Sequence, residues 1–408
     1  MINAPLFQNA LVKEVMVINM DLIKLKTRIQ SFAIFRGLLK DEVISSLLSY
    51  IENPTVSAYS GFVGNLYETG ALSIGEYIKD ICENNENIYV KLVGCGKAVP
   101  SYIESCVAEE LKTLQAASCL TPEILQELLE PQDFLPAFGT SEVDIIGSFA
   151  YRVKNIGKYG YGIYAKNRMF FIDEENSIVP VANPDKTTFA ELVDYEAERQ
   201  VIIDNTKALL CGKPAANILL TGDAGTGKSS TVKAVANEMF GEGLRIIEVR
   251  KEQLYATPKI LNELSENPLK FVLFIDDLSF LKDDDNFNTL KAVLEGSVSA
   301  KSKNVVIYAT SNRRHIIKEK FSDREGDDVH RNDTMQELIS LSERFGIHVT
   351  FQKPSKQTFL HIVHRLAAMH GIEMEDSELD LLAERFALER GGRSARLARQ
   401  FIDGILSK

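Results

Sequence analysis

The chain has 408 residues, 45% of them hydrophobic and 25% charged, a composition typical of a globular protein with two or three domains. Its formal net charge is −11, which gives no support to a basic nucleic-acid-binding block and leaves only local phosphate contacts possible. The five cysteines include no Cys-x-x-Cys pair and charges interrupt the apolar N-terminal patches, so we expect buried free thiols, no signal peptide, no membrane span and a cytoplasmic location.

Residues 1–185 are predicted to form a mostly helical N-terminal domain that ends in a small β meander and that selects a partner or client. Apolar residues recur three and four positions apart, as in amphipathic helices, over 21–38, 41–51, 102–114 and 122–129. The pattern then changes to short branched and aromatic runs, which predict strands at 161–165, 169–172 and 178–181. Asn183-Pro184-Asp185 follows and marks a linker.

Residues 186–352 are predicted to form an α/β core, and residues 353–408 a small helical lid. Short apolar runs at 217–220, 245–249, 271–275, 305–310 and 347–351 alternate with helical patterns. Runs that are apolar on both faces are typical of a parallel sheet covered by helices. The lid shows helical patterns only, at 355–369, 376–388 and 393–406. The predicted fold class is therefore α/β, with a five-stranded parallel sheet.

A phosphate-binding loop is predicted between the first strand and the first helix of this core. The segment Gly222-Asp223-Ala224-Gly225-Thr226-Gly227-Lys228-Ser229 fits G-x-x-x-x-G-K-[ST]. Backbone N–H groups of such a loop cradle phosphate at the positive end of the helix. Lys228 would bridge the β- and γ-phosphates, the Ser229 hydroxyl would ligate Mg²⁺, and Ser230 belongs to the same nucleotide-binding segment. A glycine-rich turn that fits by chance is the alternative, and the flanking strand and helix argue against it.

Two aspartates follow the apolar run 271–275, at the strand end where parallel sheets bind ligands. Asp276 would hold Mg²⁺ directly or through water, and Asp277 lies where a base or a water-orienting carboxylate belongs. A solvated turn is the alternative for an isolated pair of aspartates. The phosphate loop upstream favours the metal-binding interpretation.

These motifs, with three more downstream, resemble the AAA+ superfamily of P-loop ATPases over about residues 188–408. In the segment 304–312, which resembles the sensor-1 strand, the resemblance implies that Asn312 positions water beside the γ-phosphate. The segment 341–346 resembles the arginine-finger segment of Holliday-junction motors and clamp loaders, so Arg344 would reach the γ-phosphate of a neighbouring subunit. The segment 390–396 resembles sensor 2, where Arg393 fits best and Arg396 is the rival. Each has a simpler alternative. Asn312 would only close a turn, Arg344 would form a surface ion pair, and the arginines of 390–396 would only make a basic start of a helix.

A closer resemblance is to an uncharacterised bacterial family of predicted AAA+ ATPases, filed as a domain of unknown function. The strings that carry it lie at 195–200, 275–280, 294–297, 309–315 and 321–328. The resemblance implies that Leu192–Tyr195 line an adenine pocket, with Tyr195 as the contact residue. Asp194 stands where many superfamily members have Gly, which is a departure from the pattern.

Three further features refine the prediction. Most AAA+ motors have Glu where this chain has Asp277, and the shorter arm predicts slow, regulated hydrolysis. Tyr255 lies where threading unfoldases carry an aromatic pore loop, but the Gly of that loop does not follow it. The sequence therefore argues against a threading unfoldase. His361 and His364 share a helix face without an acidic partner spaced along the chain, so we expect a solvated face rather than a metal site.

The predicted function is ATP binding and hydrolysis by a homo-oligomer that remodels or loads an unidentified partner, with ATP and Mg²⁺ as cofactors. Its catalytic residues would be Asp277, Asn312, Arg344 and Arg393. One alternative is a nucleotide-dependent binding switch with negligible turnover. The other is a DNA-associated ATPase resembling a helicase loader, which Arg313, Arg314 and Lys318 permit locally although the net charge does not support it.

Overall fold

The computed structural model describes residues 21–278, 285–295, 303–312 and 343–407, and the chain divides into two compact units, Met1–Lys166 and Asn167–Lys408. The described part of the first unit is helical, as predicted. Its helices are α1 (Leu22–Gln30), α2 (Glu42–Glu52), α3 (Val56–Glu68), α4 (Ile74–Glu83), α5 (Ile88–Gly94), α6 (Ser101–Ser118), α7 (Pro122–Gln126), α8 (Ile145–Lys154), α9 (Ile156–Tyr159) and α10 (Ile163–Lys166), with a short 3-10 helix at Arg36–Lys40.

Side-chain caps and one buried carboxylate organise the first unit. Asp41 begins α2 because its side chain accepts hydrogen bonds from the N–H groups of Val43 and Ile44, which lack partners within the helix. Glu110 of α6 is buried and accepts hydrogen bonds from three consecutive backbone N–H groups, those of residues 33–35, at 2.7, 3.1 and 2.8 Å. These donors compensate for burial of the carboxylate, and they join the turn after α1 to α6.

The second unit is built on a seven-stranded sheet in the order β2-β1-β4-β5-β6-β3-β7. Its strands are β1 (Met169–Ile172), β2 (Ile178–Pro180), β3 (Ile218–Gly222), β4 (Leu244–Glu248), β5 (Lys270–Ile275), β6 (Val305–Ser311) and β7 (Ile347–Phe351). Strands β3 to β7 are the five predicted runs, and all pair in parallel. Successive residues of β5 are buried on both faces, which explains why the run 271–275 is apolar throughout.

The sheet has seven strands rather than five because β1 pairs in parallel with β4, and β2 pairs antiparallel with β1. The two strands expected in the N-terminal domain therefore extend the sheet of the second unit. The predicted boundary at residue 185 is wrong for the same reason, since the chain divides after Lys166. The predicted strand at 161–165 is also wrong: Gly160 and Gly162 have φ angles of 66° and 59°, and the chain turns there into α10.

Helices cover the sheet and form the predicted lid. They are α11 (Glu196–Leu210), α12 (Lys228–Glu238), α13 (Thr257–Ser265), α14 (Asp285–Glu295), α15 (Lys356–Met369), α16 (Asp376–Glu389) and α17 (Ala395–Leu406), with 3-10 turns at Phe189–Glu191, Phe240–Glu242 and Lys251–Ala256. Apolar residues of α11 and α12 pack on one face of the sheet. Helices α15–α17 enclose a separate cluster around Phe359, Val363 and Ala383, so the lid has a core of its own.

Two sequence-based expectations concern cysteines and membranes. Cys82 is buried, whereas Cys119 and Cys211 are exposed, so the expectation of buried thiols is wrong for the latter two. None of the helices within the described ranges combines the length and the apolar character needed to cross a bilayer.

Candidate functional site

The loop between β3 and α12 has a backbone that requires glycine at three positions. Gly222, Gly225 and Gly227 have φ angles of 138°, 79° and 92°. A Cβ at Gly222 would overlap the carbonyl oxygen of Phe351, and a Cβ at Gly225 would lie 3.1 Å from the Ser394 hydroxyl oxygen. The loop can therefore pass this close to β7 and to the lid only because it carries glycine. Its backbone turns back on itself and then enters α12 at Lys228.

Lys228 is the buried cation of this loop. Its Nζ donates hydrogen bonds to the carbonyl oxygens of Gly222 and Asp223, both at 2.8 Å, and to Oδ1 of Asn312 at 3.0 Å. Burial lowers the pKa of the Lys228 ammonium group, while the nearby carboxylate of Asp276 opposes this shift. The predicted phosphate lysine is thus held in the loop and in contact with the end of β6.

Ser229 and Asp276, each of which is predicted to hold Mg²⁺, meet at the carboxyl edge of the sheet. The Ser229 hydroxyl donates to Oδ1 of Asp276 at 2.6 Å. The same Oδ1 atom accepts a second hydrogen bond, at 2.5 Å, from the hydroxyl of Thr310 near the end of β6. A hydroxyl and a carboxylate supply oxygen atoms of the kind that Mg²⁺ prefers as ligands.

Asp277 and Asn312 contact each other beside Lys228. The Asn312 side-chain N–H donates to Oδ1 of Asp277 at 2.7 Å, while its Oδ1 accepts from Lys228. Asp277 has a φ of 52°, in the left-handed region that few non-glycine residues adopt. Its N–H donates to the Thr310 hydroxyl at 2.9 Å. A chain of hydrogen bonds therefore joins Lys228, Asn312 and Asp277 across the ends of three structural elements.

A cleft of about 470 Å³ opens above this edge of the sheet. The predicted site residues that line it are Ala224, Gly225, Thr226, Gly227, Lys228, Ser229, Ser230, Asp276, Asp277, Asn312 and Tyr195. Gly222 and Asp223 are outside this lining, but they contact Lys228 through their carbonyl oxygens. The structure thus brings residues of the two predicted motifs, together with Asn312, to one cleft.

The lining of the cleft also includes apolar and aromatic side chains, among them those of Leu192, Val193 and Tyr195. Tyr195 begins α11 with a φ of 63°; its ring lies 5.4 Å from the ring of Phe351, and its hydroxyl donates to the Gln352 carbonyl at 2.7 Å. Burial raises the pKa of Tyr195 to about 12. Phe351, Ile362 and Leu366 are also in the lining. Tyr195 therefore offers the cleft an aromatic side chain whose hydroxyl is already engaged.

The three predicted arginines occupy different places. Arg393 is outside the described lining of the cleft, because its guanidinium forms a bidentate pair with Glu384 at 2.8 and 2.6 Å. Arg396, the rival, lines the cleft, and its N–H donates to the Gly225 carbonyl at 3.1 Å. The choice of Arg393 over Arg396 for the cleft is therefore wrong. Arg344 is half-buried and lies three residues before β7, also outside the described lining.

The two lid histidines have acidic neighbours that their spacing along the chain did not indicate. His361 contacts the Asp194 carboxylate at 3.1 Å, and His364 contacts Asp380 at 2.7 Å and Asp376 at 3.4 Å. These contacts arise from packing between helices, since Asp376 and Asp380 lie on α16, and no group of three or more such side chains that could hold a metal ion is found among the described residues. Asp194 itself has a φ of 60°, which fits a position where glycine is common.

Thr310 is a site residue that the sequence analysis did not single out. It is 2% exposed and contacts both aspartates through its hydroxyl. The available signal is a polar side chain near the end of an otherwise largely apolar strand, next to the predicted acidic pair in the parallel sheet. Threonine is common in strands, so this signal alone does not identify a site.

Comparisons with known proteins agree with the expected resemblance to an uncharacterised family. The profile of a family described as "Protein of unknown function (DUF815)" matches residues 165–408. Two solved structures from Thermotoga maritima are similar over 54% of this chain: the RuvB Holliday junction branch migration motor (18% identity, 64% of that chain, TM-score 0.38) and a mutant of it (17% identity, 65% of that chain, TM-score 0.37). The similar region thus spans less than two thirds of either structure's chain. No match was found among curated proteins.

Proposed function

We propose, for a chain that belongs to the DUF815 family of proteins of unknown function, that the cleft binds ATP with Mg²⁺ and that the protein hydrolyses it. One observation carries the proposal: the glycine-rich loop, its lysine and the acidic end of β5 converge, so that Ser229 donates to Asp276 at 2.6 Å. Loop, lysine, hydroxyl and carboxylate are the groups that P-loop chemistry needs at one place.

Phosphate binding is supported by the loop between β3 and α12. Gly222, Gly225 and Gly227 allow its N–H groups to turn towards an anion, and the N-terminus of α12 adds its dipole. Lys228 would exchange the carbonyl oxygens that it now contacts for phosphate oxygens. Arg396 lines the same cleft from the lid and would contribute a further positive charge.

Ser229 and Asp276 fit a magnesium ion because both supply oxygen atoms at one position. The ion, when bound, would neutralise charge on the phosphates. Asp277 would accept the proton of the attacking water or orient it, and Asn312 would hold the Asp277 carboxylate in place through its side-chain N–H. The apolar and aromatic side chains of the cleft, Tyr195 among them, would receive the adenine ring.

Arg344 is proposed to act on a neighbouring copy of the chain rather than on its own cleft. Strand β7 runs parallel to β3, with Ile347 opposite Ile218 and Phe351 opposite Gly222. Arg344 precedes β7, whereas the phosphate loop follows β3, so the two lie at opposite ends of strands about 15 Å long. Arg344 would therefore serve a site between subunits of a homo-oligomer, which would couple nucleotide state to an unidentified partner.

The decisive experiment measures ATP affinity and phosphate release for the wild type and for Lys228→Ala. We expect magnesium-dependent ATP binding and slow phosphate release by the wild type, with ATP affinity at least tenfold weaker in the variant because the buried cation is gone. Lys207→Ala, on α11 and outside the described lining of the cleft, is the control. Absence of magnesium-dependent ATP binding by the wild type would show that the proposal is wrong.

A nucleotide-dependent binding switch is the second candidate, and Asp277 is the observation that favours it. Its carboxylate is one methylene shorter than the glutamate of most AAA+ motors and is already hydrogen-bonded by Asn312. Such a protein would hold ATP, release phosphate negligibly and recruit its partner by occupancy. The same measurements separate the two, because a switch binds ATP with magnesium but shows no phosphate release above that of Lys228→Ala at any protein concentration.

A further inference from the structure

We infer that Thr310 is a positioning residue that holds both aspartates of the proposed ATPase site in their working geometry. The inference rests on the proposed function and adds to it a residue whose side chain acts through Asp276 and Asp277. Thr310 is 2% exposed and belongs to β6, while both aspartates follow β5, the adjacent strand.

Three hydrogen bonds join Thr310 to three consecutive residues after β5. Its hydroxyl donates to Oδ1 of Asp276 at 2.5 Å and accepts from the N–H of Asp277 at 2.9 Å. Its carbonyl oxygen accepts from the N–H of Leu278 at 2.7 Å. The hydroxyl is therefore used as donor and acceptor at once, and each bond fixes a different part of the acidic turn.

The hydroxyl and the carbonyl oxygen of Thr310 together support a strained turn at Asp277. Asp277 has a φ of 52°, a conformation that costs free energy in a non-glycine residue. Hydrogen bonds on both sides of Asp277 offset this cost, one from its own N–H and one from the N–H of Leu278. This turn directs the Asp277 carboxylate to Asn312, which contacts Lys228 in turn.

The same hydroxyl holds Asp276 independently of Ser229. Oδ1 of Asp276 accepts from both Ser229 and Thr310. If Ser229 held a metal ion through its oxygen, the bond from Thr310 would still be available to orient the Asp276 carboxylate. Thr310 thus contacts both the carboxylate proposed to hold the metal and the residue whose carboxylate is proposed to orient water. A buried threonine whose hydroxyl bonded only to its own strand would contact neither.

The test compares Thr310→Val, which keeps the shape and removes the hydroxyl, with Thr310→Ser, which keeps the hydroxyl. For Thr310→Val we expect kcat to fall roughly tenfold to a hundredfold, the factor that a hydrogen bond to a charged group provides. ATP affinity without magnesium should stay unchanged, because the phosphate loop and Lys228 are intact, whereas affinity for ATP with magnesium should fall. Thr310→Ser should stay within about threefold of the wild type in kcat, since the hydroxyl is present.

A second readout uses nucleotide-free protein and does not depend on activity. Hydrogen exchange at the Asp277 amide should be faster in Thr310→Val, because its acceptor is gone, and should stay slow in Thr310→Ser. Thr206→Val is the matched control: Thr206 is fully buried on α11, and its hydroxyl contacts Tyr308 at 2.7 Å, away from the cleft. It removes a buried hydroxyl and should leave both kcat and the Asp277 amide unchanged.

The outcomes separate this inference from the proposed function. If the wild type releases phosphate and Thr310→Val matches it in kcat and in magnesium dependence, Thr310 does not position the aspartates. If the wild type neither binds nor hydrolyses ATP, the proposed function is wrong, and with it the role assigned here. If Asp277 exchanges equally slowly in Thr310→Val, the hydrogen bond from its amide does not hold the turn and the inference is overturned.

Discussion

At the residue scale, the side chains of the site are oriented by hydrogen bonds to one another. Asn312 accepts from Lys228 and donates to Asp277, so a single amide links the cation of the loop to the carboxylate after β5. Amide orientation in such a site follows from its partners, since a cation requires an oxygen and a carboxylate requires an N–H group. Any ligand that draws Lys228 towards itself would therefore be sensed at Asp277 through Asn312.

The two lid arginines should differ sharply in what they affect. We expect Arg396→Ala to weaken ATP affinity several-fold because it lines the cleft, and Arg393→Ala to leave ATP affinity nearly unchanged because it pairs with Glu384. Titration with a fluorescent ATP analogue measures both. Equal losses of affinity in the two variants would contradict the assignment of Arg396 to the cleft.

The Arg393 variant should instead affect lid stability in a pH-dependent way. Hydrogen bonding to Arg393 lowers the pKa of Glu384 below its ordinary value of 4.5. A carboxyl group whose pKa is lower in the folded state stabilises the fold above its unfolded pKa and loses this contribution as the pH falls through the folded pKa. The difference in melting temperature between wild type and Arg393→Ala should therefore be present at neutral pH and shrink below about pH 4.

At the element scale, the strand ends decide where the site forms. Strands β3, β5 and β6 end at one edge and deliver the loop, the acidic pair and Asn312 together. Strands β1 and β2 lie beyond β4, at the side of the sheet opposite β7. They belong to the same compact unit as the other strands. Met169 and Phe170 of β1 face Ile246 and Ile247 of β4 in register and are themselves buried.

Removal of β1 and β2 should destabilise the second unit without touching the cleft. We expect a fragment of residues 167–408 to fold with higher thermal stability than one of residues 186–408, which exposes the edge of β4. Loss of four buried side chains, those of Met169, Phe170, Ile172 and Ile178, predicts a melting temperature lower by on the order of 10 °C or more. Calorimetry of the two fragments measures this, and equal melting temperatures would show that β1 and β2 are not part of the folding unit.

Sequence patterns predicted the elements that a short stretch of residues specifies by itself. Run 271–275 is apolar at every position, and the loop 222–229 has a fixed spacing, so both could be found without knowledge of their neighbours. The place of β1 could not be predicted, because its partner β4 lies more than 70 residues further along the chain and nothing in four residues specifies a partner. The pairing of Arg393 with Glu384, and of His361 with Asp194, likewise depends on helix packing rather than on spacing.

At the scale of the whole molecule, the role proposed for Arg344 would make the proposed ATPase depend on assembly. The residue precedes β7, and β7 lies at the margin of the sheet, where it pairs with β3. The phosphate loop of the same chain follows β3 at the opposite end. A subunit that lacks Arg344 would then keep an intact nucleotide cleft, and a subunit that lacks Lys228 would keep an intact arginine.

Mixing two inactive variants should therefore restore activity. We expect Arg344→Ala and Lys228→Ala each to release phosphate far more slowly than the wild type, and a re-assembled equimolar mixture to regain activity at roughly a quarter of its interfaces, those that pair an intact cleft with an intact arginine. Mixing Arg344→Ala with the double variant is the control, because no subunit then supplies the guanidinium. Phosphate release that stays at the level of the separate variants, in mixtures shown to contain both chains, would mean that Arg344 does not act between subunits.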